Sequence, residues 1–194
     1  MSQEALTKEH QTQEPQLSRY TSPAVALHWL TAALIAVAFL LIFALGLFDL
    51  EDYESTLVFV HKSVGLCVLL LTLPRMLNKI AGKAGGSSVE LTPMLRKVAA
   101  ASHGMIYLLM VAAPLAGWLK VSAAGKSISL FGIPVPALLA KNRDLADTFG
   151  EAHEILAYML LGLIVLHVGA ALWHKLFHKD AVLYSMLPFE RFKP

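Results

Sequence analysis

The stretch GEAHEILAYMLLGLIVLHVGAALW, residues 150–173, decides the fold. Its apolar run is long enough to cross a bilayer as a helix, which takes about 20 mainly apolar residues. It nevertheless contains His153 near one end and His167 near the other. An ionisable side chain inside a membrane is costly and therefore indicates a functional site. The stretch predicts a membrane helix with one polar site in each half of the bilayer.

Three more stretches of this kind come earlier in the chain, at about residues 24–48, 57–77 and 98–119. Together the four spans predict an all-α membrane protein, a four-transmembrane-helix bundle. The composition agrees, since 56% of the 194 residues are hydrophobic and 15% are charged, whereas soluble domains carry about 25% charged residues. The net charge of +2 gives no reason to expect a nucleic-acid partner. Membrane lipid is the expected surrounding.

The basic residues predict the orientation of the bundle. Eleven of the 16 fall in three regions that share one side of a four-span protein: Lys8, Arg19, Arg75, Lys79, Lys83, Arg96, Lys97, Lys175, Lys179, Arg191 and Lys193. Loops rich in Lys and Arg stay in the cytoplasm, so both termini are expected there. We place Arg75, Lys79, Lys83, Arg96 and Lys97 in the loop between the second and third spans. Of the outer loops, residues 49–56 are short and acidic. Residues 121–149 are long and rich in Gly and Pro, so we expect a cap over the outer face.

The ends of the chain differ from its middle. Residues 1–19 are polar, without the pattern of a cleavable signal peptide, and are expected to form a disordered cytoplasmic tail. Residues 20–188 form the predicted membrane domain, and residues 189–194 a short C-terminal tail. The single cysteine, Cys67, lies in an apolar run and cannot form a disulfide within the chain; we read it as an inert buried thiol.

Depth in the membrane pairs the histidines. His153 and His167 are fourteen residues apart, which places them within about 40° of one helix face and about 21 Å apart along the axis. His61 begins the second span at the outer side, and His28 begins the first span at the inner side. We therefore expect His61 to meet His153, and His28 to meet His167. Two imidazoles directed at one centre are what a haem with two axial histidines requires.

Small neighbours support this pairing. The residues four positions after the four histidines are Ala32, Gly65, Ala157 and Ala171, whereas His103 has Tyr107 there. A flat macrocycle needs such space one turn from its ligand. Two other interpretations stay open at this point. Membrane histidines also occur as hydrogen-bonded packing residues, and small residues are common at membrane helix contacts. A metal held by histidine pairs alone, without carboxylates, would be bound weakly.

Four short motifs resemble the bacterial cytochrome b561 family. They are His28-Trp29, the run HKSVG at residues 61–65, the run GEAHE at residues 150–154, and Leu166-His167. The likeness extends from about Arg19 to Pro188, and the run GKSISLFG at residues 125–132 is similar to one branch of the family. The resemblance implies a bacterial inner-membrane protein with two b haems, whose axial ligands are His28, His61, His153 and His167. It also implies electron exchange with membrane quinone. At least one family member oxidises superoxide at the outer face and reduces ubiquinone.

Four further residues are candidates for the site. Arg75 reaches the depth of the inner haem and is expected to pair with a propionate, unless it is only one of the cytoplasmic cations. Lys62 adjoins an outer ligand and is expected to meet a propionate or an anionic donor, unless it only snorkels. His174 lies seven residues past His167 and would donate a proton to quinone, unless it is an ordinary interfacial histidine. His103 is expected near the inner haem or the quinone.

Three functions remain open from the sequence. The first is an oxidoreductase that passes electrons from an outer-face donor such as superoxide to ubiquinone. The second is an electron-carrier subunit without its own substrate, serving a hydrogenase or dehydrogenase partner. The third is a haem-free structural or transport bundle. A flavin or nicotinamide site is not expected, because no soluble segment is large enough and no dinucleotide fingerprint is present. The oligomeric state is not predicted.

Overall fold

Four long helices make up most of the computed structural model, which describes residues 20–85, 92–178 and 183–187. We number them α1 (Ser22–Leu47), α2 (Glu54–Ile80), α3 (Pro93–Ala123) and α4 (Arg143–Trp173). Each is long and apolar enough to cross a membrane. The predicted four-helix membrane bundle is therefore confirmed. The predictions for residues 1–19 and 189–194 lie outside the described residues.

The helices are longer than the predicted apolar spans, and most begin earlier or end later, because local capping and not hydropathy sets their ends. The Thr92 side chain accepts a hydrogen bond from the Leu95 amide at the start of α3, and Asn142 accepts one from Leu145 at the start of α4. Such caps satisfy amides that have no partner within the helix. At the other end of α2 the helix continues to Ile80. Arg75 and Lys79 therefore lie on its last turns, and Arg96 and Lys97 lie at the start of α3, so our placement of these four in a loop was wrong.

The helices pack around one apolar layer at mid-height. The most extensive packing is between α3 and α4 and between α1 and α2, followed by α2 against α3. The layer contains at least one buried residue from every helix: Ile35, Val68, Leu109, Met110 and Leu160. Leu160, the residue that α4 contributes to this layer, lies midway in the sequence between His153 and His167. The layer therefore separates the two depths at which the histidines lie.

The outward surface of the bundle is apolar. Leu40, Leu77 and Leu166 are each at least 65% exposed, and Leu73 and Leu108 are more than half exposed. Exposed leucines at this density would be unfavourable in water and favourable against lipid tails. The surface thus agrees with a membrane location.

A β-hairpin covers one end of the bundle, which we call the outer end. Strands β1 (Ile128–Leu130) and β2 (Ile133–Val135) pair antiparallel, and Phe131 and Gly132 form the turn between them. The segment after the hairpin is tied to α3, since Trp118 donates to the Pro136 carbonyl and Ser122 accepts from the Leu138 amide. The sequence predicted a cap here but not its strands.

Two chain segments close the opposite end, which we call the inner end. The Thr21 amide donates to the Ala84 carbonyl, beside a bridge between Tyr20 and Gly85. Burial, followed by the proximity of Tyr107, raises the pKa of the Tyr20 phenol, which therefore stays protonated at neutral pH. On the other side, the Trp29 indole donates to the Met186 carbonyl at 2.7 Å. The chain after α4 thus returns to the start of α1.

Candidate functional site

The outer histidine pair is held by backbone carbonyls. The ring centres of His61 and His153 are 6.1 Å apart. The His61 Nδ1 is 3.0 Å from the Ala38 carbonyl oxygen, and the His153 Nδ1 is 2.8 Å from that of Ala113. A carbonyl can only accept, so both Nδ1 atoms carry the proton. Each Nε2 atom is then left with a free lone pair, which is the form of histidine that binds a metal.

Two glycines shape the space around this pair. A Cβ atom on Gly117 would lie 3.0 Å from the Nδ1 atom of His153 and 3.1 Å from its Cε1 atom. A larger residue at position 117 would therefore require the ring of His153 to shift by a few tenths of an ångström. A Cβ atom on Gly65, one turn after His61, would meet nothing within 4 Å. The space beside Gly65, one of the four small residues noted in the sequence, is therefore open.

The inner pair has a similar separation but a different partner. The ring centres of His28 and His167 are 6.4 Å apart. The Nδ1 atom of His28 is 3.1 Å from a guanidinium nitrogen of Arg75. A guanidinium can only donate, so here the Nδ1 atom accepts and the proton is on Nε2. The outer rings can bind a metal through Nε2 without any change of proton position. His28 must first lose its hydrogen bond from Arg75 and move its proton from Nε2 to Nδ1.

A third histidine belongs to the inner site. The ring of His103 lies perpendicular to that of His167, with centres 5.1 Å apart, and its Nδ1 atom donates to the Ala99 carbonyl at 2.6 Å. The separation is shorter than in either of the pairs. From the sequence, His103 could be placed only near the inner haem or the quinone. The residue four positions on, Tyr107, is large, so there was no reason to pair His103 with another histidine.

Two cations share one aromatic ring beside the inner pair. The guanidinium carbon of Arg75 is 5.5 Å from the centre of the Tyr107 ring, and the Lys79 ammonium is 5.0 Å from it. Such distances allow cation–π attraction. Lys79 and Tyr107 were not among our site candidates, although Lys79 lies one turn after Arg75 in the sequence. The inner site is thus strongly cationic.

The remaining candidates lie at the two ends of the bundle. Lys62 follows His61 and is half-buried. Lys120, which the sequence analysis did not single out, lies beside α4 near His153, since a Cβ atom on Gly150, three residues earlier, would lie 3.6 Å from its ammonium. His174 begins a π-helical turn that continues α4, and its ring stacks on that of His178 with centres 5.1 Å apart. π-Helical turns are frequent at functional sites.

The separations within the two pairs fit a metal between them. Two metal–nitrogen bonds of about 2 Å each, plus half a ring on either side, give about 6 Å between ring centres. The pairs meet this value, and the contact of His103 with His167 does not. Donor type, ring separation and the uncovered Gly65 therefore fit a haem with two axial histidines at the outer pair, and the ring separation fits one at the inner pair. The fold and site define a class, that of membrane proteins with histidine pairs in a four-helix bundle.

The chain belongs to the prokaryotic cytochrome b561 family, whose sequence profile matches residues 19–189. It is 32% identical over 173 residues to a probable superoxide oxidase, CybB, of Yersinia pestis, covering 89% of this chain and 98% of that protein. It is 35% identical over 175 residues to cytochrome b561 homolog 2 of Escherichia coli K12, covering 87% of this chain and 91% of that protein. A second protein of that organism, cytochrome b561 homolog 1, is 29% identical over 89% of this chain and 98% of its own length.

Membership in this family identifies the chain as a b-type haem protein of the membrane that takes part in electron transfer. The resemblance that we read from four short motifs is thereby confirmed.

Proposed function

We propose that the chain binds two b haems and carries electrons from superoxide at the outer end to ubiquinone at the inner end. His61 and His153 would be the axial ligands of the outer haem, and His28 and His167 those of the inner haem. One observation supports this most strongly: two histidine pairs at different depths both have ring centres about 6 Å apart. Packing alone gives no reason for two pairs to share that separation.

With both axial positions filled by histidine, each haem would act as a one-electron carrier without an open site for oxygen. The protein then has three tasks. It must hold the rings in place, keep water out of the bundle, and bring the outer and inner sites within reach of each other. The apolar layer of Ile35, Val68 and Leu160 serves the second task. The sequence separation of His153 and His167 on α4 places the two sites about 21 Å apart along the axis.

Cations near the outer pair support an anionic donor. Lys120 on α3 lies beside Gly150, three residues before His153, and Lys62 follows His61 on α2. Positive charge at an entrance raises the local concentration of an anion such as superoxide. The relative from Yersinia pestis is named a probable superoxide oxidase. In the proposed reaction each of two superoxide anions loses one electron and becomes dioxygen.

The inner end would reduce the quinone. Ubiquinone takes up those two electrons with two protons and becomes ubiquinol, so the site needs a proton donor. His174 lies on the π-helical turn that follows His167 on α4, and an imidazole ring can both donate and accept a proton. We therefore propose it as the proton donor at this site.

Arg75 is proposed to hold a propionate of the inner haem. Its hydrogen bond to His28 needs a lone pair on the Nδ1 atom. A His28 that binds iron through Nε2 instead carries its proton on Nδ1, so the two arrangements exclude each other. Haem binding would thus release the guanidinium from His28. A carboxylate is the anion to which a guanidinium binds best, by two parallel hydrogen bonds. Lys62 would hold a propionate of the outer haem or meet the donor.

We further propose that the protein lies in a bacterial inner membrane with both termini in the cytoplasm. The support is the excess of Lys and Arg in the segments at the inner end. The outer end, with its hairpin, would then face the periplasm. Superoxide formed in the periplasm would reach the outer haem without crossing the inner membrane.

The test begins with the reduced-minus-oxidised optical spectrum of the detergent-purified protein and the haem content per chain. We expect two low-spin b haems per chain. In stopped-flow experiments, superoxide should reduce them faster than it disproportionates unaided, and ubiquinone should reoxidise them. If superoxide does not accelerate reduction, the donor is a different one. Co-purification of a redox subunit would then favour the electron-carrier function. A folded protein without haem would disprove the proposal as a whole.

A further inference from the structure

Within the part of the chain that the structure describes, three of the four proposed ligands have a hydrogen-bond partner at the Nδ1 atom of the ring, and the fourth does not. His61 and His153 donate to backbone carbonyls, and His28 meets Arg75. Over residues 20–85, 92–178 and 183–187, no hydrogen-bond partner for the His167 ring is found. Histidines that bind metals through Nε2 almost always donate the other N–H group, which fixes the ring and increases its basicity. His167 therefore lacks the partner that this role requires.

His103 is the side chain placed to provide it. Its ring is perpendicular to that of His167, with centres 5.1 Å apart. That separation is too short for a metal between the rings. It matches a nitrogen–nitrogen hydrogen bond of about 2.9 Å plus half a ring on either side, which gives about 5 Å between ring centres. Both rings are half-buried, so water competes less for the contact than at the surface.

The proton on His103 is in the right position for this contact. Its Nδ1 atom donates to the Ala99 carbonyl at 2.6 Å, and a carbonyl can only accept. The Nε2 atom of the neutral ring therefore carries a lone pair. Since Ala99 lies four residues before His103 on the same helix, the bond also fixes the orientation of the ring. His103 is thus a prearranged acceptor for an N–H group.

We propose that His103 accepts the Nδ1 proton of His167 in a hydrogen bond and thereby orients His167 and makes it a stronger ligand. His103 is then a positioning residue, which acts on the inner haem through His167. The inference rests on the proposed function, because it assumes that His167 binds iron through Nε2. It adds a chain from the Ala99 carbonyl through His103 to His167, which has no equivalent at the outer pair.

The expected effect is on the reduction potential of one haem. A ligand whose N–H group is bound to an acceptor donates more electron density to iron and favours the oxidised form. His103→Phe keeps a ring of similar size but removes the acceptor. We expect it to keep two haems and to raise the midpoint potential of the inner haem only. The expected size is about a tenfold change in its ratio of reduced to oxidised form, or about 59 mV for one electron.

The experiment is a potentiometric titration of the purified holoprotein, followed by optical and low-temperature electron paramagnetic resonance spectra. His103→Gln has an amide oxygen that can accept the same proton, so its potential should lie closer to that of the unchanged protein. Met105→Leu, on the exposed face of the same helix, is the matched control and should change neither haem. The inner haem is assigned from its loss in His28→Ala.

Three results would overturn the inference. The first is His103→Phe with both potentials and both resonance signals unchanged. The second is His103→Gln with a shift as large as that of His103→Phe. The third is loss of the inner haem in both His103 variants while Met105→Leu retains it, since the amide acceptor should preserve binding. Failure of the proposed function looks different, because it would show as too few haems in the unchanged protein.

Discussion

Gly117 shows how a single residue controls the outer site. A methyl group there would lie 3.0 Å from the Nδ1 atom of His153, and this same atom donates to the Ala113 carbonyl. Contacts this short force a neighbour to move, and here the neighbour is a ring that must keep its orientation. Gly117 therefore leaves room for the ring of His153, in addition to allowing close helix packing.

Gly117→Ala is expected to tilt the ring of His153 and to weaken or break its bond to Ala113. The outer haem should then be lost in part, or show a shifted absorption maximum, while the inner haem is unchanged. Haem content and low-temperature optical spectra measure this. Gly162→Ala on α4 is the control, because a Cβ atom there meets nothing within 4 Å. A Gly117→Ala protein with a native spectrum would show that the ring adapts without cost.

The ligand assignment is tested one histidine at a time. We expect His61→Ala and His153→Ala each to leave one haem per chain, with the same remaining spectrum, because both remove the outer site. His28→Ala and His167→Ala should leave the other spectrum. His178→Ala is the control, since that exposed residue lies in the π-helical turn beyond the pairs. If His61→Ala and His28→Ala left the same spectrum, the pairing would be wrong.

At the scale of the elements, the hairpin is fastened beside the outer site by one side chain. Ser63 is fully buried on α2, two residues after His61, and its hydroxyl donates to the Ser129 carbonyl and accepts from the Phe131 amide, both at 3.1 Å. Phe131 has a φ of 48°, in the left-handed region. The turn therefore holds its conformation partly through a bond from the membrane helix below it.

Ser63→Ala should release the hairpin without unfolding the bundle. It leaves a carbonyl and an amide without their partner, each at a cost of about 1–3 kcal/mol if they stay buried. We expect faster hydrogen exchange of the amides in residues 128–135 and faster oxidation of the reduced outer haem by water-soluble oxidants. Ser127→Ala, at an exposed position before β1, should change neither. Unchanged exchange in Ser63→Ala would mean that the anchors at Trp118 and Ser122 suffice.

For the whole molecule, the orientation in the membrane decides which side supplies electrons. Because Cys67 is the only cysteine, Cys67→Ser gives a background in which single cysteines report sidedness. With Lys126→Cys next to the hairpin, a membrane-impermeant thiol reagent should label intact spheroplasts. With Lys83→Cys, after α2, labelling should require permeabilised cells. Both variants should react equally in detergent, which controls for accessibility. The reverse labelling pattern would place the termini outside and contradict the proposed direction of electron flow.

The sequence alone determined the four membrane helices and the depth of each histidine. In lipid, the backbone must satisfy its own hydrogen bonds, so an apolar stretch of sufficient length has to be a helix. Along a helix, the distance and angle between residues follow from their spacing, which is why His153 and His167 could be assigned to one face. The assignment of the four histidines as ligands stays a prediction, although the structure brings the expected rings together.

Only the tertiary structure decided which side chains meet between helices. The contact of His103 with His167, the bond of Arg75 to His28, the approach of Gly117 to His153 and the attachment of the hairpin to Ser63 all join different elements. Each depends on how far one helix is rotated and shifted against the next. Hydropathy does not encode that rotation, because lipid and neighbouring helices are equally apolar. It is set by the packing of side chains from several segments at once.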